Sequence, residues 1–249
     1  IVLHTEANAR ATYVINHTGS ALYAQNVEMV LDEGSEMTVI AIHDWADDAV
    51  HVATHVAKIG KDARLKHIVV TLGGKAVRVN STATFAGPGG EVEQDGLYFS
   101  DEGQHLEHRL FVDHAAPKCT SNVLYKGALQ GRGARSVWVG DVLIRKEAEG
   151  TETYEMNRNL VLTEGARADS VPNLEIETGE IEGAGHAAAT GRFDDEQLFY
   201  LMARGISEIE ARRLVVRGFF QELIQRIEVP EVRDYLTEQI EIELQRSMN

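Results

Sequence analysis

Short apolar runs that alternate with glycine turns fill roughly the first 180 residues, and they constrain the fold more than any other sequence feature. The runs lie at positions 38–42, 68–72, 76–79, 97–99, 110–112, 137–139, 142–144 and 160–162. Strands this short and closely spaced are typical of a sandwich, a barrel or a solenoid. Turn glycines recur about 30 residues apart, or about half that distance, at Gly60, Gly90, Gly103, Gly133 and Gly165. The spacing suggests the coils of a β-solenoid, but by itself it leaves the other two architectures open.

The pattern changes to helical spacing after residue 191. Asp194 followed by Gln197 predicts a capping box at the start of a helix, and Gly205 is placed to end that helix in a left-handed conformation. Ser207 followed by Glu210 predicts a second capping box. We therefore expect a β region followed by a small α region.

Two apolar stripes are predicted in the α region. The first helix after the second capping box carries one that we assign to Leu214, Val215, Gly218, Phe219 and Leu223, with Gly218 permitting close approach of a neighbour. Pro230 is suited to the first turn of a last helix, whose apolar residues are Val232, Leu236, Ile240 and Leu244. Short helices enclose little core alone, so we expect these to pack on the β region, on each other or on a partner.

Charge and cysteine content exclude several functions. The chain has 24 Lys and Arg against 39 Asp and Glu, a net charge of −15, which argues against a nucleic acid as partner. No apolar run approaches the roughly 18 residues of a membrane span, so we expect a soluble protein. A single cysteine and the absence of a signal-peptide pattern favour the reducing cytoplasm. Because Ile1 already begins a strand-like run, we expect the native chain to begin earlier.

Histidine and cysteine side chains supply the candidate metal ligands. His105, His108, His114 and Cys119 are of suitable types, but two residues an odd number apart on a strand face opposite sides, so His105 and His108 are not expected to share a metal. His51 and His55 would share a helix face, yet nearby aspartates suggest a polar loop. We expect these histidines to be solvent-facing or core-filling.

Cys119 and His186 remain as isolated candidates. Lys118 beside Cys119 would favour the thiolate, whereas a small residue filling an inner corner is the simpler interpretation. His186 lies among glycine and alanine residues where the β region meets the α region. A lone histidine in such a strand is usually structural. The carboxylates that follow, Asp194 to Glu196, are better explained as helix caps than as catalytic groups.

Four segments carry a resemblance to a known family. Residues 173–178, 186–191, 194–201 and 204–206 closely resemble the C-terminal part of the SufB/SufD family, scaffold subunits for iron–sulfur cluster assembly, and residues 119–127 match it again. The resemblance implies a mainly β fold, a right-handed parallel β-helix core over residues 1–191, followed by a small C-terminal α-helical domain over residues 192–249. It also implies a largely helical segment before Ile1.

The resemblance favours SufD over SufB. SufB-like sequences have a cysteine where this chain has Ile176, and His-Glu where it has His186 and Ala187. A second SufB cysteine would align near Ala83. Some SufD sequences have a cysteine where this chain has Ala184, so any thiolate at the cluster would have to come from the partner.

Expected partners and roles follow from the resemblance alone. SufB would pair through the last coils, roughly residues 161–191, and His186 would contribute a nitrogen to a transient iron–sulfur cluster, with no cofactor in the isolated chain and Cys119 as a second candidate. SufC, the ATPase subunit, would dock on the helical tail at Asp194, Asp195, Glu196, Phe199, Tyr200, Arg204, Gly205, Ile206 and Phe219. The chain itself would be a scaffold and no enzyme, free of membranes and nucleic acid. Alone, it would be able to homodimerise through an unpaired β edge.

Two alternative functions, both enzymatic, would each require a recognisable set of residues. A β-helical polysaccharide-active enzyme needs clustered carboxylates and aromatic platforms, yet aromatic residues make up only 6% of the chain. A stand-alone metal-dependent enzyme of β-helical or β-barrel fold needs a set of His and carboxylate ligands around one ion.

Overall fold

The computed structural model describes residues 1–247, without the side chains of Asp195, Gln197, Arg246 and Ser247. The β region comprises strands β1 (Val2–Thr5), β2 (Arg10–Gly19), β3 (Leu22–Leu31), β4 (Glu36–Trp45), β5 (Val50–Ile59), β6 (Arg64–Thr71), β7 (Ala76–Phe85), β8 (Glu91–Ser100), β9 (His105–His114), β10 (Thr120–Leu129), β11 (Arg135–Ile144), β12 (Glu152–Val161), β13 (Arg167–Ile176) and β14 (Gly183–Arg192). Helices α1 (Asp195–Ala203), α2 (Glu208–Gln225) and α3 (Pro230–Ser247) follow.

The strands form two parallel sheets that face each other. Odd-numbered strands make one sheet in the order β1 to β13, and even-numbered strands make the other in the order β2 to β14. Each strand pairs with the one two places later, at separations such as 26 residues for Arg10 and Glu36 and 32 for Ser121 and Thr153. The chain therefore winds as a parallel β-helix, which confirms the predicted fold and the coil length suggested by the glycine spacing.

Alternating side chains of both sheets fill the interior. Trp138, Val142 and Ile144 on β11 are all buried within it. Where one strand places a tyrosine inside, its neighbour places a glycine: Tyr98 is in register with Gly127, and Tyr125 with Gly96. A Cβ at Gly127 would lie 1.9 Å from the Tyr98 ring, so only glycine leaves room for it.

The strands are longer than the apolar runs predict. Most span ten residues, and the runs at 137–139 and 142–144 belong to the single strand β11. His51 and His55 lie on β5 with fully buried side chains, so the expectation of a polar loop was wrong. The alternation of apolar and polar residues that marks a strand is not visible in the sequence, because several inward-facing residues are histidine, asparagine or glutamine. These residues are polar although they occupy the core.

The helical tail begins and ends largely where predicted. The Asp194 carboxylate accepts a hydrogen bond from the Glu196 amide (2.9 Å), although the Gln197 side chain of the predicted capping box lies outside the described residues. Gly205 follows α1 with φ of +87°, and the Ser207 hydroxyl caps α2 by accepting from the Glu210 amide. Among residues 1–247, no helix is long and apolar enough to cross a membrane.

Helices α2 and α3 cover the outer face of the even-numbered sheet. The predicted stripe of α3 is buried there, together with residues of α2 that include Val216, Phe220 and Leu223. The stripe predicted for α2 was therefore right only in part: Leu223 and Phe219 pack on this cluster, whereas Leu214 is 37% exposed and a Cβ at Gly218 would meet nothing within 4 Å. Gly218 does not mediate close packing, and the side of α2 with Leu214 faces away from the sheet.

Buried polar contacts fix the tail on the sheet. The Arg226 guanidinium donates to Asp95 (3.1 Å), whose carboxylate is buried beneath α2. Burial raises the pKa of Asp95 to about 6, although Arg226 opposes this shift. Lys126 donates to Glu222 (2.7 Å), and the Tyr235 hydroxyl donates to Asp44 (2.6 Å). These contacts hold α2 and α3 in one position relative to the solenoid.

Candidate functional site

His186 lies on the last strand of the solenoid. Its strand, β14, is the edge of the even-numbered sheet and pairs with β12, where Glu155 is the register partner of His186. The two side chains therefore point to the same, inner side of the sheet. The His186 side chain is 43% exposed, because no further coil covers this end of the interior among the described residues. His186 thus stands at the mouth of the β-helix.

Glu155 is buried directly behind that histidine. Its Oε1 lies 3.8 Å from the His186 Nδ1, and its side chain is only 1% exposed. Neither carboxylate oxygen has a hydrogen-bond partner at normal geometry, although the Asn173 amide lies near enough to lower the pKa slightly. Burial, with a smaller contribution from Asp141, raises the pKa of Glu155 to about 8. Sequence analysis missed Glu155, because nothing in its neighbours distinguishes it from a surface glutamate.

A glycine on the opposite sheet makes room for this carboxylate. A Cβ at Gly140 would lie 2.3 Å from the Glu155 Oε2, so a larger residue there would displace the side chain. The Trp138 indole, two residues earlier, is also fully buried, and its Nε1 has no partner among the described residues. The mouth therefore contains unpaired polar groups behind one accessible imidazole.

The positions that were compared with SufB-like sequences, and Ala184, which was compared with some SufD sequences, lie around the same mouth, with one exception. Ile176 ends β13, the edge of the odd-numbered sheet, and is 44% exposed. Ala187 and Ala184 lie on β14. Ala83 is fully buried on β7, several coils away. The structure thus brings Ile176, Ala184, His186 and Ala187 to one end of the β-helix.

Cys119 occupies a buried corner of a coil. Its side chain is fully buried, with the Sγ 3.5 Å from the carbonyl oxygens of Gly87 and Pro117. Burial raises the pKa of the Cys119 thiol, so the predicted influence of Lys118 toward the thiolate is outweighed. The interpretation as a small corner residue agrees with this placement, and Cys119 lies away from His186.

The expected ATPase-docking residues fall into two groups. Phe199 is 73% exposed and Tyr200 56% exposed, and the Arg204 guanidinium lies over the Tyr200 ring at 4.5 Å. Glu196 is also exposed, and the Asp195 side chain lies outside the described residues. Three other large apolar side chains on α1 and the first half of α2 are exposed to solvent: Met202, Ile209 and Leu214.

The second group supports the tail. Gly205 and Ile206 close α1 through hydrogen bonds from their amides to the carbonyl oxygens of Met202 and Leu201. The Phe219 side chain is half-buried against the outer sheet cluster, and its carbonyl accepts from Lys126 (3.0 Å). Gly205 and Ile206 thus end the helix that carries Phe199 and Tyr200, and Phe219 contacts the solenoid.

The interior between β2 and β9 contains a buried histidine cluster that sequence analysis did not anticipate. Its members are at most 8% exposed and are His17, His43, His51, His55, His67 and His108. His55 Nδ1 lies 3.0 Å from His67 Nε2, and the Thr71 hydroxyl links His43 (3.2 Å) to His108 (3.0 Å). Register places these residues inward on facing strands, which only the three-dimensional winding reveals.

Burial keeps the rings of His43, His51, His55, His67 and His108 neutral. It lowers the pKa of His51, His67 and His108 to about 4 and that of His55 to about 2, and it lowers the pKa of His43 as well. Several of these rings also repel one another's charge, which lowers the values further. The cluster is a polar part of the core.

No group of three or more His, Cys, Asp or Glu side chains in the part of the chain that the structure describes is arranged to hold a metal ion. His105 is half-exposed and His108 is buried, so the prediction that they face opposite sides of their strand is confirmed. The fully buried His114 Nε2 instead lies 2.8 Å from the Ser121 hydroxyl.

Comparison with known proteins identifies the family. The family model described as the SUF system FeS cluster assembly SufBD core domain matches residues 1–219. An iron-sulfur cluster assembly SufBD family protein of Mycobacterium tuberculosis (strain CDC 1551 / Oshkosh) is 64% identical over 246 residues, which cover 96% of this chain and 62% of the relative. One of Mycobacterium leprae (strain TN) is 64% identical over 240 residues, covering 94% and 61%.

A second SufBD family protein of Mycobacterium leprae is more distant, at 26% identity over 211 residues, which cover 85% of this chain and 24% of that protein. The chain thus spans about 62% of the length of the relatives that it matches most extensively. The family-model match and the high identity together show that the chain belongs to the SufBD family of iron–sulfur cluster assembly proteins.

Proposed function

We propose that this chain is a SufD-like scaffold subunit that pairs with a SufB-like subunit and contributes His186 to the site where an iron–sulfur cluster is built. The observation that carries the proposal is the position of His186, an accessible imidazole at the open end of a parallel β-helix. A neutral imidazole is a competent iron ligand and leaves a cluster less negative than a thiolate does.

The open end is also a suitable pairing surface. Both edge strands, β13 and β14, present unpaired backbone groups, and Val171 and Ile176 on β13 are 46% and 44% exposed. Strand edges of this kind pair readily with another chain. A SufB-like partner would continue the sheets and enclose His186. The occurrence of two SufBD family proteins in Mycobacterium leprae supports pairing between unlike subunits, and a homodimer through the same edges is the alternative in isolation.

The thiolates would come from the partner in this proposal. Cys119 is buried, and its thiol pKa is raised, so it is poorly suited to receive sulfur. The cluster is cargo that both subunits hold transiently, in the cytoplasm, and this chain acts without catalytic groups of its own.

A SufC-like ATPase would bind the helical tail. Phe199 and Tyr200 are large aromatic side chains that protrude from α1, and residues of this type often dominate binding energy at interfaces. Because apolar packing and partly buried polar contacts hold α2 and α3 on the sheet, a force applied at α1 would reach the solenoid.

Replacing His186 tests the cluster role in the reconstituted three-subunit complex. We expect His186→Ala to reduce the yield of assembled cluster at least about tenfold while the complex remains intact, because its ring is not part of the core. His105→Ala, which removes a half-exposed histidine from β9, is the matched control. Unchanged cluster yield with His186→Ala would refute the ligand role.

A separate binding measurement tests the ATPase surface. We expect Phe199→Ala and Tyr200→Ala each to weaken association with the SufC-like subunit by about tenfold or more. Leu22→Ala, which removes an 86% exposed apolar side chain at the other end of the solenoid, is the control. If the α1 variants bind the SufC-like subunit with the same affinity as the unmodified protein, the docking surface lies elsewhere.

A further inference from the structure

The mouth of the β-helix holds a buried carboxyl group whose hydrogen-bonding capacity is largely unused. Glu155 is 1% exposed, and neither of its oxygens has a hydrogen-bond partner at normal geometry, although the Asn173 amide is nearby. Buried polar groups in folded proteins are usually hydrogen-bonded, paired or bound to a metal, because burial without a partner is costly. The Nδ1 of His186 is 3.8 Å away, which is too far for a hydrogen bond.

That separation is close to the distance between two ligands of one metal ion. Ligand nitrogen and oxygen atoms lie about 2 Å from a bound divalent transition metal, so two neighbouring ligands are roughly 3.0–3.4 Å apart at octahedral or tetrahedral angles. The Nδ1 and Oε1 atoms, at 3.8 Å, therefore need to approach each other by less than about 1 Å, a change of the size that side-chain rotation supplies. Both residues are fixed by register on adjacent strands, and Gly140 opposite provides the space that the carboxylate occupies.

The chemistry of the pair selects a class of ion. One imidazole and one carboxylate are the ligand types used by non-haem ferrous iron, and they suit other first-row divalent ions as well. Two protein ligands leave the remaining coordination positions to water or to a partner. The exposed His186 ring gives the ion a route from solvent.

We propose that Glu155 and His186 together bind one ferrous ion at the mouth of the β-helix. Glu155 is then the second ligand of the site, and this chain contributes an iron atom held by nitrogen and oxygen to the nascent cluster. The link to the cluster rests on the proposed function, whereas binding of the ion by the purified protein does not.

Cobalt(II) is the probe for this site, since it occupies ferrous positions and has visible absorption and paramagnetic effects that report its ligands. The purified protein is titrated with cobalt(II) under anaerobic conditions, and NMR signals of the histidine rings are followed. We expect broadening at His186 before any other histidine. Glu155→Gln and His186→Ala should each weaken binding at least about tenfold, and the double variant no further, because both remove the same site.

The chain offers a matched control. His4 and Asp32 form an exposed pair only 3.0 Å apart on the surface, so Asp32→Asn removes the carboxylate from an equivalent histidine that is not at the mouth. We expect this variant to bind cobalt(II) as the unmodified protein does. Circular dichroism checks the fold of each variant, and Glu155→Asp, which shortens the carboxylate, should weaken binding if Glu155→Gln does not fold.

Two results would overturn the proposal: unmodified protein that does not bind cobalt(II) at His186, or Glu155→Gln protein that binds it with unchanged affinity. Failure of the proposed function looks different. In that case cobalt(II) binding still depends on both residues, but His186→Ala leaves cluster yield in the reconstituted complex unchanged.

Discussion

Mild acid is expected to destabilise this β-helix through its buried histidines. Five of these are His51, His55, His67, His108 and His114, which are neutral in the folded protein because burial lowers their pKa to about 4, and to about 2 for His55. In the unfolded chain they titrate near 6.5. The unfolded state therefore binds more protons between these values, so stability is complete above about pH 6.5 and falls as the pH drops toward 4.

The size of the effect follows from the pKa differences. At about pH 5.5 each of the five histidines costs about 1.4 kcal/mol relative to about pH 7.5, or about 7 kcal/mol together, and His43, whose pKa burial also lowers, acts in the same direction. Asp95 and Glu155 act in the opposite direction, since their pKa values of about 6 and about 8 are raised. Their protonation restores about 3 kcal/mol over the same range, which leaves a net loss of about 4 kcal/mol.

A histidine variant isolates the buried contribution. His108→Gln keeps a group able to hydrogen-bond with Thr71 and removes one titrating ring. Urea unfolding at about pH 7.5 and about pH 5.5 gives the free energy of unfolding at each pH. We expect the difference between the two to shift by about 1.4 kcal/mol relative to the unmodified protein. His105→Gln, on the same strand with its ring half-exposed, is the control.

An unchanged pH dependence in the His108→Gln protein would refute the reasoning, because a buried neutral ring must contribute if the unfolded state takes up its proton. A shift of equal size for His105→Gln would refute it as well, since that result would remove any role for burial.

Three further predictions concern the packing of single residues. Arg226→Ala should lower the free energy of unfolding by about 3 kcal/mol at neutral pH, because it leaves the buried Asp95 carboxylate unpaired; in acid, where that carboxyl is protonated, urea unfolding should show a smaller loss. Gly127→Ala should lower the free energy of unfolding by about 1–3 kcal/mol, because the new methyl group crowds the Tyr98 ring. Gly218→Ala, on an open side of α2, should raise it by up to about 1 kcal/mol. Thermal unfolding of both variants tests this comparison, and equal effects would contradict it. The Cys119 thiol should react with an alkylating reagent only after denaturation, and rapid labelling of the native protein, measured by mass, would contradict its burial.

Residue spacing predicted the buried face of a tail helix correctly where the helix has a single apolar face. The apolar stripe of α3 recurs every four residues, and all four of its members are buried. On α2 two apolar sides compete: Val216 and Phe220 face the sheet, while Leu214 faces solvent. Spacing alone does not distinguish a side that packs on the protein from one left exposed, so the predicted stripe mixed buried Leu223 with exposed Leu214.

The interior of the solenoid was harder to predict because its core is partly polar. His51 and His55 are separated from their neighbours His43 and His67 by a turn in the chain, and the contacts form only when the two sheets face each other. Glu155 illustrates the same limit at the candidate site. Its proximity to His186 depends on the register of β12 and β14, 31 residues apart along the chain, which no local pattern specifies.

We propose that His186 at the open end of the β-helix is a ligand of the growing cluster. Pulsed electron paramagnetic resonance spectra of a reduced, paramagnetic cluster assembled on the complex, with the histidine ring nitrogens labelled with nitrogen-15, test this ligand role most directly. We expect coupling between the cluster and a ring nitrogen that disappears in the His186→Ala complex and persists in the His105→Ala complex. A cluster that shows no nitrogen coupling, or the same coupling in all three complexes, would contradict the claim.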